Sequence, residues 1–375
     1  MSDIQGAWSN AVPDDDPVDD LHADHPCRYD RHWFGGQSAD GELWFAAALG
    51  RYPHAGENGV IDGAFMVATA DAQTGCIASR PWAADGAMAL PGFRLQSRPA
   101  PAPGRGTQFR LCADDGQGGL AADLVFDGRI DPVAEPRYTF AIGGHAVMDL
   151  RRFTQGGRWS GWIRAQGRKW ILAAAPGTRD RSWGQRPIGR RPPAPPDTPP
   201  FPWFWLWMPL EFPGHTLLFH TNDYPDGTAW NRHALLVPHA GRPQTIAKPR
   251  YTLRYHPGTR WIAAVELSGE LPDGHLVATA ETRFAACSRL AGYNHPTHAH
   301  GTAHGKALRH QETLDVAAFQ PGSGADVHVQ SPCTATLHLP SGGSHAGCGL
   351  VEQMIIGPHA PSGFTGFADR ARGEA

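Results

Sequence analysis

The chain has 375 residues, a net charge of -3 and 18% charged residues. This balance argues against a nucleic-acid binder and against a protein held on a membrane surface by charge. The length is sufficient for two domains of ordinary size. The 45 glycines and 34 prolines interrupt helices repeatedly, so we expect short strands joined by many turns.

Cysteine spacing and hydropathy bear on the compartment. The six cysteines are widely scattered and form no CxxC pair, which favours reduced thiols in a cytosol over a disulfide framework. The acidic N-terminus lacks the apolar core of a secretory signal. No run of about 18 apolar residues is present to span a membrane. We therefore expect a cytoplasmic protein without a membrane span.

The first half of the chain has the pattern of an all-β domain. Residues 1–25 are predicted to form a flexible acidic arm, because their clustered aspartates cannot pack. An N-terminal β-domain is predicted over 26–195. No long helical period occurs before residue 200, so little helix is expected. The candidate strands, each bounded by Gly, Pro or Asp turns, are 43–49, 64–70, 108–113, 121–127 and 138–142.

His145 is the first candidate for chemistry. It follows two glycines in the sequence GGHAVMD. A histidine titrates near neutral pH and could act as an acid, a base or a proton relay. Asp149, four residues further on, could orient the ring. The alternative is an ordinary hydrogen-bonded histidine without a catalytic role.

The main candidate site is the heptad TRDRSWG at 178–184. It places the carboxylate of Asp180 between the guanidiniums of Arg179 and Arg181, beside the indole of Trp183. A guanidinium close to Asp180 would lower its pKa and oppose a role as a proton donor. In an extended strand, however, both arginines point away from Asp180. The alternative is a structural ion pair that closes a barrel or bridges the two domains.

A proline-rich stretch at 190–202 predicts a stiff domain boundary. The strand that follows carries Trp203, Trp205 and Trp207 at alternate positions, so all three indoles share one face. They form either a core or domain-interface strand, or an aromatic wall of an apolar ligand cavity. A second β-domain is predicted over 196–370. Its candidate strands are 216–220, 233–237, 251–255, 261–267, 275–284, 334–339 and 349–356.

Two further groups lie in this second half. The histidine cluster has no acidic residue or cysteine interleaved, and its glycines favour a loop over a cavity mouth rather than a metal site. Glu352 is a lone carboxylate in an apolar strand; if buried, it needs a partner, for which we expect an arginine of the heptad. The clustered histidines are His295, His298, His300, His304 and His310.

The segment 161–186 resembles the AttH-like, lipocalin-like superfamily that includes carotenoid 1,2-hydratase (the hydroxyneurosporene synthase family). Its signature Asp-x-x-Trp-Gly is matched at 180–184, and Arg179 and Arg186 complete the form RDRSWGxR of a bacterial subgroup. The sequences RHWF, GRYP and EQMIIGPHAPSGFTGFADR elsewhere in the chain are similar to the same subgroup. The resemblance implies tandem lipocalin-like β-barrel or sandwich domains. In the hydratase, an Asp at this signature protonates an isoprenoid double bond.

Together these features predict a cofactor-independent enzyme, a hydratase or dehydratase (lyase) or an isomerase. Its substrate would be a hydrophobic, isoprenoid- or terpenoid-like small molecule, transformed by acid-initiated hydration, dehydration, isomerisation or cyclisation. The alternatives are a non-catalytic carrier of hydrophobic small molecules and a shape-directed pericyclic cyclase. No metal and no nucleic acid are expected, and a homodimer is left open. The predicted catalytic residues are Asp180 and His145, and the predicted substrate-binding residues are Trp183, Trp203, Trp205, Trp207, Arg179, Arg186 and Glu352.

Overall fold

The computed structural model describes residues 8–10, 19–82, 89–100, 107–189, 201–316 and 327–372. About 64% of the structure is strand and about 2% is helix, with no helix of seven residues or more among the residues described. Two large antiparallel sheets form a half-barrel and a nearly closed barrel. The prediction of a lipocalin-like, all-β fold with little helix is therefore confirmed.

The first sheet has 13 strands. Twelve come from the first half of the chain, and the last, β21, returns from the second half to pair with β4. The strands are β1 (Arg28–Gln37), β2 (Trp44–Tyr52), β3 (Val60–Ala68), β4 (Ala72–Pro81), β5 (Ala89–Leu90), β6 (Phe93–Pro99), β7 (Thr107–Asp114), β8 (Leu120–Gly128), β9 (Val133–Ala134), β10 (Tyr138–Ile142), β11 (His145–Ala165), β12 (Arg168–Gln185) and β21 (Leu308–Asp315).

The second sheet has ten strands, all antiparallel to their neighbours. Short 3-10 turns at Ser288–Ala291 and Ala360–Ser362 accompany it. No helix in the described ranges is long and apolar enough to cross a membrane. The strands are β13 (Trp203–Phe212), β14 (His215–Asp223), β15 (Ala229–Pro238), β16 (Gln244–Thr245), β17 (Ala247–Tyr255), β18 (Ile262–Leu271), β19 (Gly274–Thr282), β20 (Ala286–Cys287), β22 (His328–His338) and β23 (Ser344–Ile356).

Strand β12 lies between β1 and β11. It joins β11 through Gln166 and Gly167, whose φ angles are 51° and 71°. Positive φ at both central residues of a two-residue loop is the geometry of a type I′ hairpin turn, whose twist matches that of the strands. The hairpin predicted from Gln166-Gly167 is therefore present.

The two sheets pack against each other through a buried aromatic cluster. Trp33 of β1 meets Trp207 of β13 edge to face, with ring centroids 5.3 Å apart. Because separate apolar cores cover the other faces of these strands, β1 is buried along its whole length. A strand buried on both faces lacks the regular alternation of apolar and polar residues that marks a half-exposed strand.

Two predicted segments lie largely outside the described residues. Most of the proposed arm at 1–25 and most of the proline-rich stretch at 190–202 fall there. Among the described residues of the arm, Asp19 and His22 contact side chains of the first sheet. Asp19 accepts a hydrogen bond from the indole of Trp183 at 2.7 Å, and His22 lies 2.7 Å from the carboxylate of Asp149.

Candidate functional site

A cavity of about 190 Å³ lies between the two sheets. Its volume is far above the roughly 10–15 Å³ that one water molecule needs. The first sheet contributes side chains from β1, β10, β11 and β12, and the second contributes side chains from β13, β14, β22 and β23. Tyr293, Asn294 and His300 of the loop after the first 3-10 turn line it as well. The cavity is thus between the barrels rather than inside one.

Asp180 lies in the wall of this cavity. In the sheet it stands opposite Trp33 of β1 and Thr154 of β11, and only 8% of the residue is exposed. Within the described part of the chain, no side chain forms a hydrogen bond or a salt bridge with its carboxyl group. The backbone of β12 therefore positions the carboxyl group, which can contact a molecule bound in the cavity.

The neighbouring arginines point to the other face of β12, as the alternation of a strand requires. Arg181 places Nε and Nη2 each 2.9 Å from the carboxylate of Asp30. Arg179 donates from Nε to Oε1 of Gln155 at 2.6 Å and lies over the ring of Phe109 in the core of the first sheet. Arg179 is therefore outside the cavity, and neither guanidinium pairs with Asp180.

The surroundings of Asp180 favour its neutral form. Burial raises its pKa from 3.8 to about 7, because desolvation penalises the charged carboxylate. The positive charge of Arg152 opposes this rise, and the negative charges of Glu135 and Glu352 reinforce it. A carboxyl group with this pKa is protonated in a large fraction of molecules at neutral pH.

Among the charges that lower the pKa of Asp180, that of Arg152 has the largest effect, and Glu135 neutralises this charge through an ion pair. The guanidinium donates from Nε to Oε2 at 2.7 Å and from Nη2 to Oε1 at 3.0 Å of Glu135. Thr154 and Tyr138 also donate to this carboxylate, at 2.6 Å and 2.5 Å. Burial alone would raise the pKa of Glu135, but the charges of Arg152 and His220 bring it down to about 2. Glu135 is therefore ionised.

Glu352 lines the same cavity in the opposite state. The partner expected from the sequence was an arginine of the heptad, but the structure provides three other groups. Trp205 donates to Oε1 at 3.0 Å, Gln330 donates to Oε2 at 2.8 Å, and His328 lies 3.2 Å from Oε1. Burial raises the pKa of Glu352, but these contacts, chiefly with His328, hold it below its ordinary value. Two carboxyl groups with divergent pKa values in one cavity are typical of a division between acid and base.

The predicted aromatic wall is divided by the fold. Trp203 and Trp205 line the cavity. Trp207 lies deeper, between Trp33 and the guanidinium of Arg152, which is 4.6 Å from its ring. Trp183 is on the opposite face of β12 from Asp180, since odd and even residues of a strand point to opposite sides. It therefore lies outside the cavity that it was expected to line.

His145 is not brought together with Asp180. It is exposed at the start of β11, next to the turn that follows β10. Asp149, which was expected to orient it, instead pairs with Arg137 at 2.6 Å and with His22 at 2.7 Å. His145 therefore lies at the turn end of this hairpin, and it does not line the cavity.

His295, one of the clustered histidines, connects the cavity loop to β21. His295 Nε2 lies 3.0 Å from Glu312 Oε2, and ligand atoms of His295, His310 and Glu312 lie within 4.8 Å of one another. However, Nδ1 of His295 accepts the backbone N–H of His298 at 2.9 Å. The proton of the neutral ring is then on Nε2, which donates to Glu312. Glu312 also pairs with Arg289 at 2.8 Å, so these residues fit an anchor for the loop better than a metal site.

The raised pKa of Asp180 predicts how the free energy of unfolding depends on pH. Because the folded pKa of about 7 exceeds the ordinary value of 3.8, the folded state retains a proton that the unfolded chain releases. This contribution is fully present below pH 4 and is lost as the pH rises through about 7. We expect the free energy of unfolding of the wild type, relative to Asp180→Asn, to fall over this range. Urea unfolding of both proteins at several pH values measures it; a constant difference would contradict the raised pKa.

Comparison with solved structures shows that this fold is the one found in the AttH/lipocalin-like proteins. The AttH-like protein NE1406 of Nitrosomonas europaea has a TM-score of 0.53 and 13% identity, covering 87% of this chain and 92% of its own. CghA, in its crystal structure with Sch210972, has a TM-score of 0.51 and 11% identity, covering 95% and 96%. Kievitone hydratase from Nectria haematococca has a TM-score of 0.44 and 10% identity, covering 93% and 97%.

The sequence itself defines the family more narrowly. Residues 14–365 match the sequence profile described as a family of unknown function, DUF8625. The chain belongs to this family. No curated protein matches the sequence.

Proposed function

We propose that this protein is an enzyme that transforms a hydrophobic small molecule bound between its two sheets, with Asp180 as the proton donor. One observation carries the proposal: a carboxyl group with a pKa of about 7 lies in the wall of a partly aromatic cavity and has no arginine partner among the described residues. A general acid works best when its pKa is close to the operating pH. Asp180 meets that condition.

The proposed reaction begins with a carbon–carbon double bond. The proton of Asp180 moves to one alkene carbon, the π electrons form the new C–H bond, and the other carbon becomes a carbocation. The faces of Trp203 and Trp205 stabilise this positive charge. The cation then gains water, loses a proton from a neighbouring carbon, or is attacked by a second double bond; these outcomes are hydration, isomerisation and cyclisation.

Glu352 is the proposed proton acceptor for the second half of such a reaction. It is ionised, and it shares the cavity wall with Asp180. The proton released by the added water or by the adjacent carbon is taken up by this carboxylate. Glu352 then releases that proton to solvent, and Asp180 is reprotonated from solvent. The same two groups working in reverse give dehydration.

The class of substrate rests on the cavity and on the resemblance to carotenoid 1,2-hydratase. Trp203, Trp205, Met148, Leu150 and Met354 give the walls an apolar character, which suits an isoprenoid or terpenoid skeleton. CghA, which shares the fold, is known in complex with the small molecule Sch210972. We further propose that the reaction needs no cofactor and takes place in the cytoplasm.

Two other functions each have an observation in their favour. Arg181 and Arg179 tie β12 to neighbouring strands through Asp30 and Gln155, which fits an architectural role of the heptad in a carrier protein. The cavity between the sheets also suits a cyclase that shapes its substrate without donating a proton. The carrier and the shape-directed cyclase each predict a different result from the proposed enzyme when the reaction is run in heavy water.

The test is incubation of the protein with a panel of acyclic and cyclic terpenoids in heavy water, followed by mass spectrometry. Our proposal predicts a product with deuterium bound to carbon. Panel members that bind without turnover would contradict it in favour of a carrier. A product without carbon-bound deuterium would contradict it in favour of a shape-directed cyclase.

A further inference from the structure

Arg186 is a cationic side chain in the cavity wall, and two of its guanidinium nitrogens have no hydrogen-bond acceptor among the described residues. It directly follows β12 and lines the same cavity as Asp180. Its Nε and Nη2 are shielded from solvent and have no hydrogen-bond partner in the described ranges. Its guanidinium contacts aromatic faces instead, 4.2 Å from the ring centroid of Tyr29 and 5.9 Å from that of Tyr293.

Two other charged groups near Arg186, Arg31 and Glu352, have partners of their own. Arg31, which also faces Tyr293, donates to the hydroxyl of Tyr52 and to the carbonyl of Ala291, each at 2.8 Å. Glu352 already accepts from the groups described above. Glu352 thus has partners on both oxygens, and Arg31 has acceptors for both of its Nη atoms but none among the described residues for Nε. Arg186 differs in that both Nε and Nη2 lack an acceptor among those residues.

A guanidinium whose shielded N–H groups lack acceptors lowers the stability of the protein unless a ligand supplies those acceptors. Arginine has five N–H donors, no acceptor, and a charge that it cannot lose. Shielded donors that lack a partner destabilise the protein, and the penalty is larger for charged groups. The strongest complement to a guanidinium is a carboxylate, whose two oxygens can accept two parallel hydrogen bonds.

We propose that Arg186 is an anion-binding residue, and that the natural ligand is an apolar small molecule with a carboxylate or an equivalent acidic oxygen group. This inference rests on the proposed function in one respect, the use of the same cavity, and it names the substrate class. The acidic group binds Arg186 between the faces of Tyr29 and Tyr293. The apolar remainder then extends along the wall that holds Trp205 and Asp180.

Anion binding would also favour the acid form of Asp180. The charge of Arg186 is one of the influences that lower the pKa of Asp180. A bound carboxylate cancels this charge and adds a negative one to the cavity. The complex would therefore hold more protonated Asp180 than the free protein does.

The test uses two ligands that differ in one group, geranic acid and geraniol, with binding measured by isothermal titration calorimetry. The wild type is expected to bind the acid at least about tenfold more tightly. Arg186→Met is expected to weaken acid binding by about tenfold to a hundredfold, the range for a lost hydrogen bond to a charged group, and to leave alcohol binding within about twofold. Arg186→Lys keeps the charge but not the planar fork, so its affinity for the acid falls in between.

Several results would overturn the proposal. A wild type without preference for the acid, whether both ligands bind equally or neither binds, excludes an anion site. If Arg186→Met binds the acid as tightly as the wild type does, Arg186 is not the anion-binding residue. Thermal unfolding checks that this variant is folded. If it is not folded, unchanged acid binding by Arg186→Lys would exclude Arg186 instead. Arg164→Met, at an exposed arginine of β11 that does not line the cavity, is the matched control and is expected to keep the preference. Because no turnover is measured, a failure of the proposed acid chemistry leaves this result intact.

Discussion

Asp180→Asn is expected to lower turnover by about 10²–10⁴-fold, the usual contribution of a general acid. The amide has nearly the same shape as the carboxylic acid but cannot release a proton to an alkene. Because the carboxyl group of Asp180 has no hydrogen bond or salt bridge within the described residues, the substitution breaks no such contact, and the fold is expected to remain intact. The measurement is kcat on the terpenoid that is turned over, with circular dichroism to check folding.

Ser182→Ala is the matched control for that experiment. Ser182 is the next residue on the same face of β12 and also lines the cavity. Its hydroxyl is far too weak an acid to protonate an alkene, so we expect a much smaller change in turnover. Full activity of Asp180→Asn, or an equal loss in both variants, would show that Asp180 is not the acid.

Glu135→Gln is expected to lower the free energy of unfolding by about 3–5 kcal/mol, which is typical when one partner of a buried ion pair is removed. The variant leaves the guanidinium of Arg152 in the protein without its carboxylate. Glu270→Gln is the control, because its partner Lys248 is exposed and exposed pairs contribute about 0–1 kcal/mol. Urea unfolding at pH 7 measures both, and equal effects would mean that the buried pair is not special.

The same variant is expected to change the pH dependence of catalysis. Glu135 raises the pKa of Asp180, and Arg152 lowers it. With the negative charge removed and the positive charge unbalanced, the pKa of Asp180 falls. Since the reaction needs protonated Asp180, the loss of kcat/KM with rising pH would occur at lower pH than in the wild type. If the pH profile of the folded variant is not shifted, Glu135 does not influence the pKa of the catalytic acid.

Strand alternation made the fold and part of the site predictable. Turn residues and apolar runs indicated an all-β chain, and Gln166-Gly167 indicated the hairpin. The period of two also predicted that Arg179 and Arg181 face away from Asp180. The same period places Trp183 on the arginine face, so closeness in sequence was the wrong guide for that indole. Local pattern is informative where neighbouring residues decide which way a side chain points.

The rest of the site depends on strand order, which local pattern does not carry. Arg152 and Glu135 meet because β9, which ends next to Glu135, pairs with β11, and Asp180 lies beside them because β12 pairs with β11 as well. Glu352 obtains Trp205 and His328 because β23 lies between β13 and β22. Glu312 joins the histidine loop only because β21 returns to the first sheet. A lone glutamate before a proline, as in Glu135-Pro136, gives no sign of these contacts.

The protonation state of Asp180 is the central claim, and it can be measured directly. A titration of aspartate carboxyl carbons by ¹³C NMR, with Asp180→Asn to assign the signal, reports the pKa of this group alone. We predict a midpoint at about pH 7. A midpoint near the ordinary value of 3.8 would mean that Asp180 is a carboxylate at neutral pH, and it would contradict the proposed acid chemistry.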